Sequence, residues 1–113
     1  MNHDELLRII AQAAKEGWTS LDLTNQGLTE LPPDIGTLTT LKELRLGRNH
    51  LSKLPDEFRR LTALKSLDLT SNQFAEIPDE IVDFSNLTEL YLSANRLTTL
   101  PPEISKLTKT QNS

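Results

Sequence analysis

Leucine, isoleucine and phenylalanine recur along this chain at fixed steps, and the steps themselves repeat. From Leu41 to Ala63 the chain reads LKELRLGRNHLSKLPDEFRRLTA, and the same pattern begins again at Leu64 and at Leu87. The unit is L-x-x-L-x-L-x-x-N-x-L-x-x-L-P-x-x-I/F-x-x-L/F-x-x, twenty-three residues long, and four copies align without a gap. Copy two carries Leu41, Leu44, Leu46, Asn49, Leu51, Leu54, Pro55, Phe58 and Leu61; copies three and four repeat this from Leu64 with Asn72 and from Leu87 with Asn95. Copy one is the variant, with Trp18 at the first position and Gln26 at the Asn position, while Leu21, Leu23, Leu28, Leu31, Pro32, Ile35 and Leu38 keep the rest.

Each half of the unit predicts a different backbone. In L-x-x-L-x-L the apolar residues alternate, as on a short strand with one face buried, so Leu44 and Leu46 point inward while Glu43, Arg45 and Gly47 point outward. Asn follows where the chain leaves the strand, and its amide can both donate to and accept from backbone groups of the turn that are otherwise buried without partners. The second half, L-x-x-L-P-x-x-I-x-x-L, has three-residue spacing suited to a 3₁₀ or irregular return path, and its proline stops any strand from continuing. One unit therefore makes one coil with its apolar side chains inside, and stacking of coils supplies the core.

Before the first coil, Asn2 to Glu16 predicts a helix. Asn2 or Asp4 caps it, Asp4 and Glu5 lie in its first turn, and Gly17 ends it. Leu6, Ile9, Ile10 and Ala13 share one face, which is placed to cover the open end of coil one. Trp18 then bridges helix and coil. Gln26 stands where Asn is least needed, at the end of the array, and Asn25 is expected to take some of the missing role.

A repeat with L-P-x-x-I/F-x-x-L in its second half resembles the leucine-rich repeats of bacterial proteins and of the intracellular Ras-associated group. The opening DELLRIIAQAAKEGWTSLDLTNQGLTELPPDIG is similar to the leader of bacterial Roco-type proteins, in which repeats precede a Ras-like GTPase domain. The resemblance covers residues 1 to about 109. It implies an α/β fold, a curved right-handed solenoid with short parallel strands on its concave face and a capping helix at the amino end. It also implies a protein-interaction role, or a regulatory or dimerising segment beside a GTPase; no phosphate loop is present in this chain. The expected organisation is a capping helix over 1–17, repeats at 18–40, 41–63, 64–86 and 87–109, and a tail at 110–113.

Charge and composition narrow the partner. Twelve Lys and Arg against sixteen Asp and Glu leave a net charge of −4, which argues against nucleic acid or an anionic membrane surface. No run of eighteen apolar residues is present. The first sixteen residues lack the basic start and apolar centre of a signal peptide, and the chain has no cysteine; both favour a cytoplasmic chain, and the resemblance implies a bacterial one. Without cysteine a thiol nucleophile is excluded, His3 and His50 build no metal cluster by spacing, and no G-x-S-x-G, P-loop or G-x-G-x-x-G stretch occurs. The acidic pairs Asp56-Glu57 and Asp79-Glu80 recur because the unit recurs and read as a solvated outer face. A non-catalytic chain without cofactor or metal follows. Asn86-Leu87-Thr88 fits a glycosylation sequon, but Leu87 is a core position.

What the repeat leaves free to vary is the outward face of the strands. Between the second and third leucines stand Asp22, Arg45, Asp68 and Tyr91. Ser20, Glu43, Ser66 and Glu89 flank them on one side, and Thr24, Gly47, Thr70 and Ser93 on the other; Asn25, Arg48, Ser71 and Ala94 come next, then Gly27, His50, Gln73 and Arg96. Stacking puts Arg45 between Asp22 and Asp68, and an exposed Tyr91 near Arg45, Arg48 and Arg96 uses the residue types enriched in binding hot spots. The expected partner site is thus Asp22, Glu43, Arg45, Arg48, Asp68, Glu89, Tyr91 and Arg96, with another protein as ligand. Four strands ~4.8 Å apart and about five residues of ~3.3 Å give a patch of roughly 320 Å², against ~800 Å² from each side of a standard interface. After Leu107 no fifth coil is expected. The last strand then presents an open edge, at which the array continues, coil four frays, or two copies meet in a weak homodimer.

Overall fold

A computed structural model describes residues 1–98 and the backbone of 109–111. Leu100, Pro101, Glu103, Ile104 and Leu107 of the fourth copy lie outside the described residues. The chain opens on α1, His3–Glu16. Asn2 caps it in a reciprocal box: its side-chain oxygen accepts from the Glu5 N–H at 2.8 Å, and Glu5 Oε1 accepts from the Asn2 N–H at 3.5 Å. Gly17 closes the helix at φ 64°, with the Trp18 N–H donating to Ala13 O at 3.0 Å. Leu6, Ile10 and Ala13 are buried and Ile9 is half-buried against the core, so the apolar face lies on the first coil as its spacing predicts.

Trp18 is half-buried against the same core. Its indole N–H donates to Glu16 Oε1 at 3.0 Å, and its carbonyl accepts from Thr40 Oγ1 at 2.8 Å. One residue thus fastens the helix to coil one and ties the start of that coil to its last residue. The hydrogen bonds from Trp18 and Gln12 hold the Glu16 carboxyl below the usual carboxylate range.

Five parallel strands follow, β1 Ser20–Asp22, β2 Glu43–Arg45, β3 Ser66–Asp68, β4 Glu89–Tyr91 and β5 Lys109–Gln111, in the order of the chain. Leu21, Leu44, Leu67 and Leu90 pair in one row, with Asp22, Arg45, Asp68 and Tyr91 in the next outward row. Between strands the chain returns through 3₁₀ turns at Pro33–Thr37, Asp56–Arg60 and Asp79–Ile81, each preceded by the proline of the unit at φ between −73° and −60°. The leucine, isoleucine and phenylalanine positions of the repeat form one continuous core. Phe58 and Phe84, from adjacent coils, stack with ring centroids 6.2 Å apart.

The expected open edge at β4 is not met. Glu89 pairs with Lys109 and Tyr91 with Gln111, so β4 is an inner strand, and residues 110–111 of the expected tail belong to β5. The offset from Glu89 to Lys109 is twenty residues, against twenty-three from Glu43 to Ser66. The physical reason is that an edge asks only for extended backbone with amides and carbonyls to pair, and Lys109–Gln111 supplies that without the leucines of the unit.

The repeated Asn proves to act backward. Asn49 Oδ1 accepts from the N–H groups of Gln26 and Leu28 at 3.0 Å each, while its Nδ2 donates to Leu23 O in the same preceding coil and to Leu46 O in its own. Asn72 joins Leu51 N–H and Leu46 O of coil two to Leu69 O, and Asn95 joins Phe74 N–H and Leu69 O of coil three to Leu92 O. Coil one has no preceding coil, which is why Gln26 suffices there; its amide donates only to Thr24 O at 3.1 Å. Asn25 does not substitute for the ladder. It is exposed, at φ 57°, and Arg48, Ser71 and Ala94 repeat that left-handed conformation at φ 57–58°. The signal was the position directly before each ladder residue, where the chain turns off the strand; its mixed composition, Asn, Arg, Ser and Ala, concealed it.

Gly36 answers a different constraint. A Cβ there meets Glu57 O at 2.7 Å and Glu57 Cβ at 2.9 Å in the next return turn. The absent side chain lets the first two outer turns approach closely. On the same outer face Arg59 pairs with Glu80 at 3.8 Å and donates to Asp79 O at 3.3 Å.

Three stability predictions follow from these contacts, each read by thermal or denaturant unfolding. Asn72→Ala leaves buried backbone groups unpaired in two coils and costs about 1–3 kcal/mol, whereas Gln26→Ala costs distinctly less; equal losses contradict the ladder. Gly36→Ala forces two return turns apart and costs roughly 1–3 kcal/mol, while Gly47→Ala, whose Cβ meets nothing nearer than 3.3 Å, is milder. Ser71→Val, a β-branched residue at positive φ, loses about 1–2 kcal/mol, and Ser71→Gly does not; a tolerated valine rules out the left-handed turn.

Candidate functional site

The site is built on the strands because the strands are where the repeat fixes the inside and frees the outside. Each of β1 to β4 has the burial pattern out-in-out, with its leucine inward and two variable residues outward. Successive coils are tied in register by bifurcated bonds at the strand starts. Thr19 O accepts from the N–H groups of Lys42 and Glu43, and Lys42 O from those of Lys65 and Ser66. At the strand ends, Leu23 N–H donates to Arg45 O, Leu46 N–H to Asp68 O and Leu69 N–H to Tyr91 O, at 2.8–2.9 Å. The outward side chains therefore stand in rows whose spacing is set by the backbone.

Of the eight expected partner-binding residues, six share this face: Asp22, Glu43, Arg45, Asp68, Glu89 and Tyr91. Arg48 and Arg96 stand apart. Arg48 occupies the left-handed turn after β2, and Arg96 lies on the flank beyond Asn95, where its N–H donates to Phe74 O at 2.9 Å. Both are exposed and form a basic rim, together with the exposed His50, beside the sheet rather than on it.

The row is in the register that stacking predicts, and one expectation about the face, the exposure of Tyr91, needs correction. Arg45 lies between Asp22 and Asp68 in register, but pairs with neither: among the described residues the ion pair within 4 Å is Arg59–Glu80, on the outer face. The carboxylates are instead turned to their own chain, Asp22 Oδ1 accepting from Thr24 N–H and Asp68 Oδ1 from Thr70 N–H, both at 2.9 Å. A backbone donor two residues on is always within reach, whereas an exposed guanidinium gains little by leaving water. Hydrogen bonds from Thr24, through its side chain and then its backbone, hold the Asp22 carboxyl below the usual range, with the Arg45 charge a smaller contribution. Tyr91, expected to be exposed, is half-buried, and its hydroxyl donates to Glu89 Oε2 at 2.7 Å. That bond, followed by desolvation and the charges of Glu89 and Asp68, raises the phenol above its usual pKa and keeps it neutral.

Asn49 and Asn72 are buried and Asn95 half-buried, all serving the coil-to-coil ladder. Among the described residues no group of three or more His, Asp or Glu is arranged to hold a metal ion, and no helix is long and apolar enough to cross a membrane. A shallow depression of about 420 Å³ on the flank, between the start of α1 and the first two return turns, went unnoticed in the sequence; Leu31, Pro32 and Leu54 line it, with His3, Glu30 and Lys53 at its rim. Its coil residues are equivalent positions of two successive units, Glu30 with Lys53, Leu31 with Leu54 and Pro32 with Pro55, so the period joins them; the approach of His3 from α1 is what the period does not encode.

The leucine rich repeat profile matches residues 17–74 and 64–111. A search of curated proteins finds no match. Among solved structures, a leucine-rich repeat protein of Leptospira interrogans superposes with a TM-score of 0.66 at 28% identity, over 91% of this chain and 38% of that one. The leucine-rich repeat domain of the type III effector XopL superposes with a TM-score of 0.76 at 22% identity, over 95% of this chain and 39% of that one. The chain thus spans about two fifths of the length of either structure, and neither likeness bears on the resemblance of its leader to Roco-type proteins. Domains of this kind generally mediate protein–protein interaction and are typically non-catalytic. With the profile matching across all four copies and the stacked coils and parallel sheet in place, this chain belongs to the leucine-rich repeat family.

Proposed function

We propose that this chain is a non-catalytic protein-binding module that receives its partner on the concave strand face, in the cytoplasm. The observation that carries the reading is the division of labour along the strands. The inward rows of β1–β4 are leucine without exception, while the outward rows hold Asp22, Glu43, Arg45, Asp68, Glu89 and Tyr91 in a register the backbone fixes. A rigid sheet presenting varied polar side chains loses little entropy on binding, because its backbone is ordered beforehand. The absence of cysteine from the chain suits a reducing compartment.

Area sets the strength. Four strands at ~4.8 Å spacing give only about 320 Å² of projected sheet, less than half of the ~800 Å² one side of a standard interface uses. The basic rim of Arg48, His50 and Arg96 extends the surface on one flank, so a partner that touches both sheet and rim binds more tightly than one confined to the strands.

The test is affinity capture from a lysate of the source organism with the wild-type chain and with an Arg45→Glu/Tyr91→Ala double variant of unchanged Tm. A protein recovered by the first and lost by the second places binding on the concave face. Recovery of the same proteins by both, or of none by either, refutes it.

A further inference from the structure

The concave face carries a period longer than one coil. Residues 20–24 and 66–70 are the same pentapeptide, SLDLT, whereas the intervening and following strands read ELRLG over 43–47 and ELYLS over 89–93. Register turns this two-coil alternation into rows: Ser20, Glu43, Ser66, Glu89 in one and Asp22, Arg45, Asp68, Tyr91 in the other. Across β1 to β3 the second row reads negative, positive, negative. Asp22 and Asp68 are held in the same way, each carboxylate anchored at 2.9 Å by the N–H two residues on, and Arg45 between them is exposed and joined to neither. Two equivalent anionic positions, Asp22 exposed and Asp68 half-buried, therefore stand two strands apart, ~9.6 Å, with a cation midway.

Resting on the concave-face reading above, we propose that this row receives a polyproline-II segment bearing a cationic side chain at every third residue. Spacing selects the conformation. An extended strand sets side chains of one face at ~6.6 or ~13 Å, and a helix brings i and i+7 to ~10.5 Å. A polyproline-II helix puts i and i+3 on the same side at ~9.3 Å, within about 0.3 Å of the Asp22–Asp68 step. The two cations then sit over Asp22 and Asp68, with the exposed carboxylate of Glu43 beside the pair. Arg45 supplies the discrimination: a run of adjacent basic residues brings a like charge against it, whereas a segment with neutral residues between its cations does not. Tyr91, half-buried at the far end of the row, offers the kind of ring against which proline-rich segments pack.

Two end-blocked peptides of the same composition test this, PPRPPRPP with its arginines three apart and PPPRRPPP with them adjacent, titrated into the full chain by calorimetry at low salt. The spaced peptide is expected to bind about fivefold more tightly, the worth of one well-placed exposed ion pair. Asp22→Asn and Asp68→Asn each abolish that preference, and both keep an oxygen to accept the N–H two residues on, so the turns are retained; Arg45→Ser lets the adjacent-arginine peptide approach the affinity of the spaced one. Equal affinities for the two peptides, indifference to both Asn variants, or no binding of PPRPPRPP up to ~1 mM overturns the proposal. If that happens while the Arg45→Glu/Tyr91→Ala variant still loses its captured partner, the concave face stands as the binding surface and only the polyproline-II occupant falls.

Discussion

Everything in this molecule depends on how the backbone at the turn after each strand is satisfied. A coil that leaves its strand leaves carbonyls at Leu23, Leu46 and Leu69 and amides at Leu28, Leu51 and Phe74 facing inward, where water does not reach. The ladder of Asn49, Asn72 and Asn95 closes these groups, and no buried side-chain nitrogen or oxygen among the described residues is left without a partner. An unpaired amide in such a place costs more than any single leucine contact nearby contributes. The apolar stack supplies the driving force, and the amides decide that only one register of coils uses it.

The two amino-terminal devices complete the same logic. Coil one has an open face, and α1 lies across it with Leu6, Ile10 and Ala13. Trp18 then takes the place that Leu41, Leu64 and Leu87 hold in later coils, its larger side chain reaching from the stack toward the helix. β5 covers the backbone edge of β4. Coil one and β4 are thus covered by different means, a helix packing through side chains on the one and a strand pairing through backbone on the other.

The fold was legible because its information is periodic. Leucine positions, the proline and Asn recur often enough that coil, strand, 3₁₀ return and core follow from one unit, and the register of Asp22, Arg45, Asp68 and Tyr91 follows from the period alone. The features that escaped are those the period does not encode. Gly36 is explained only by Glu57 of the next turn, and the left-handed column at Asn25, Arg48, Ser71 and Ala94 is fixed by the path of the chain rather than by residue type. The pairing of β5 uses backbone where the side-chain pattern has ended. On the candidate site the rows were legible and the bonds were not: the period sets Arg45 between two carboxylates, but the donors those carboxylates take, Thr24 and Thr70 N–H, lie within the same strands' own turns.

Because each Asn reaches back to the coil before it and never forward, the stack has a direction. A coil copied into the interior arrives with the amide that its predecessor needs and leaves its own turn to be closed by its successor, so whole units of twenty-three residues can be gained or lost between coils two and four without rewriting their neighbours. The first coil is the exception. Gln26 makes it competent only as a beginning, and the concave face can therefore be lengthened at its distal end by duplication, while growth at the helix end requires that Gln26 first become Asn.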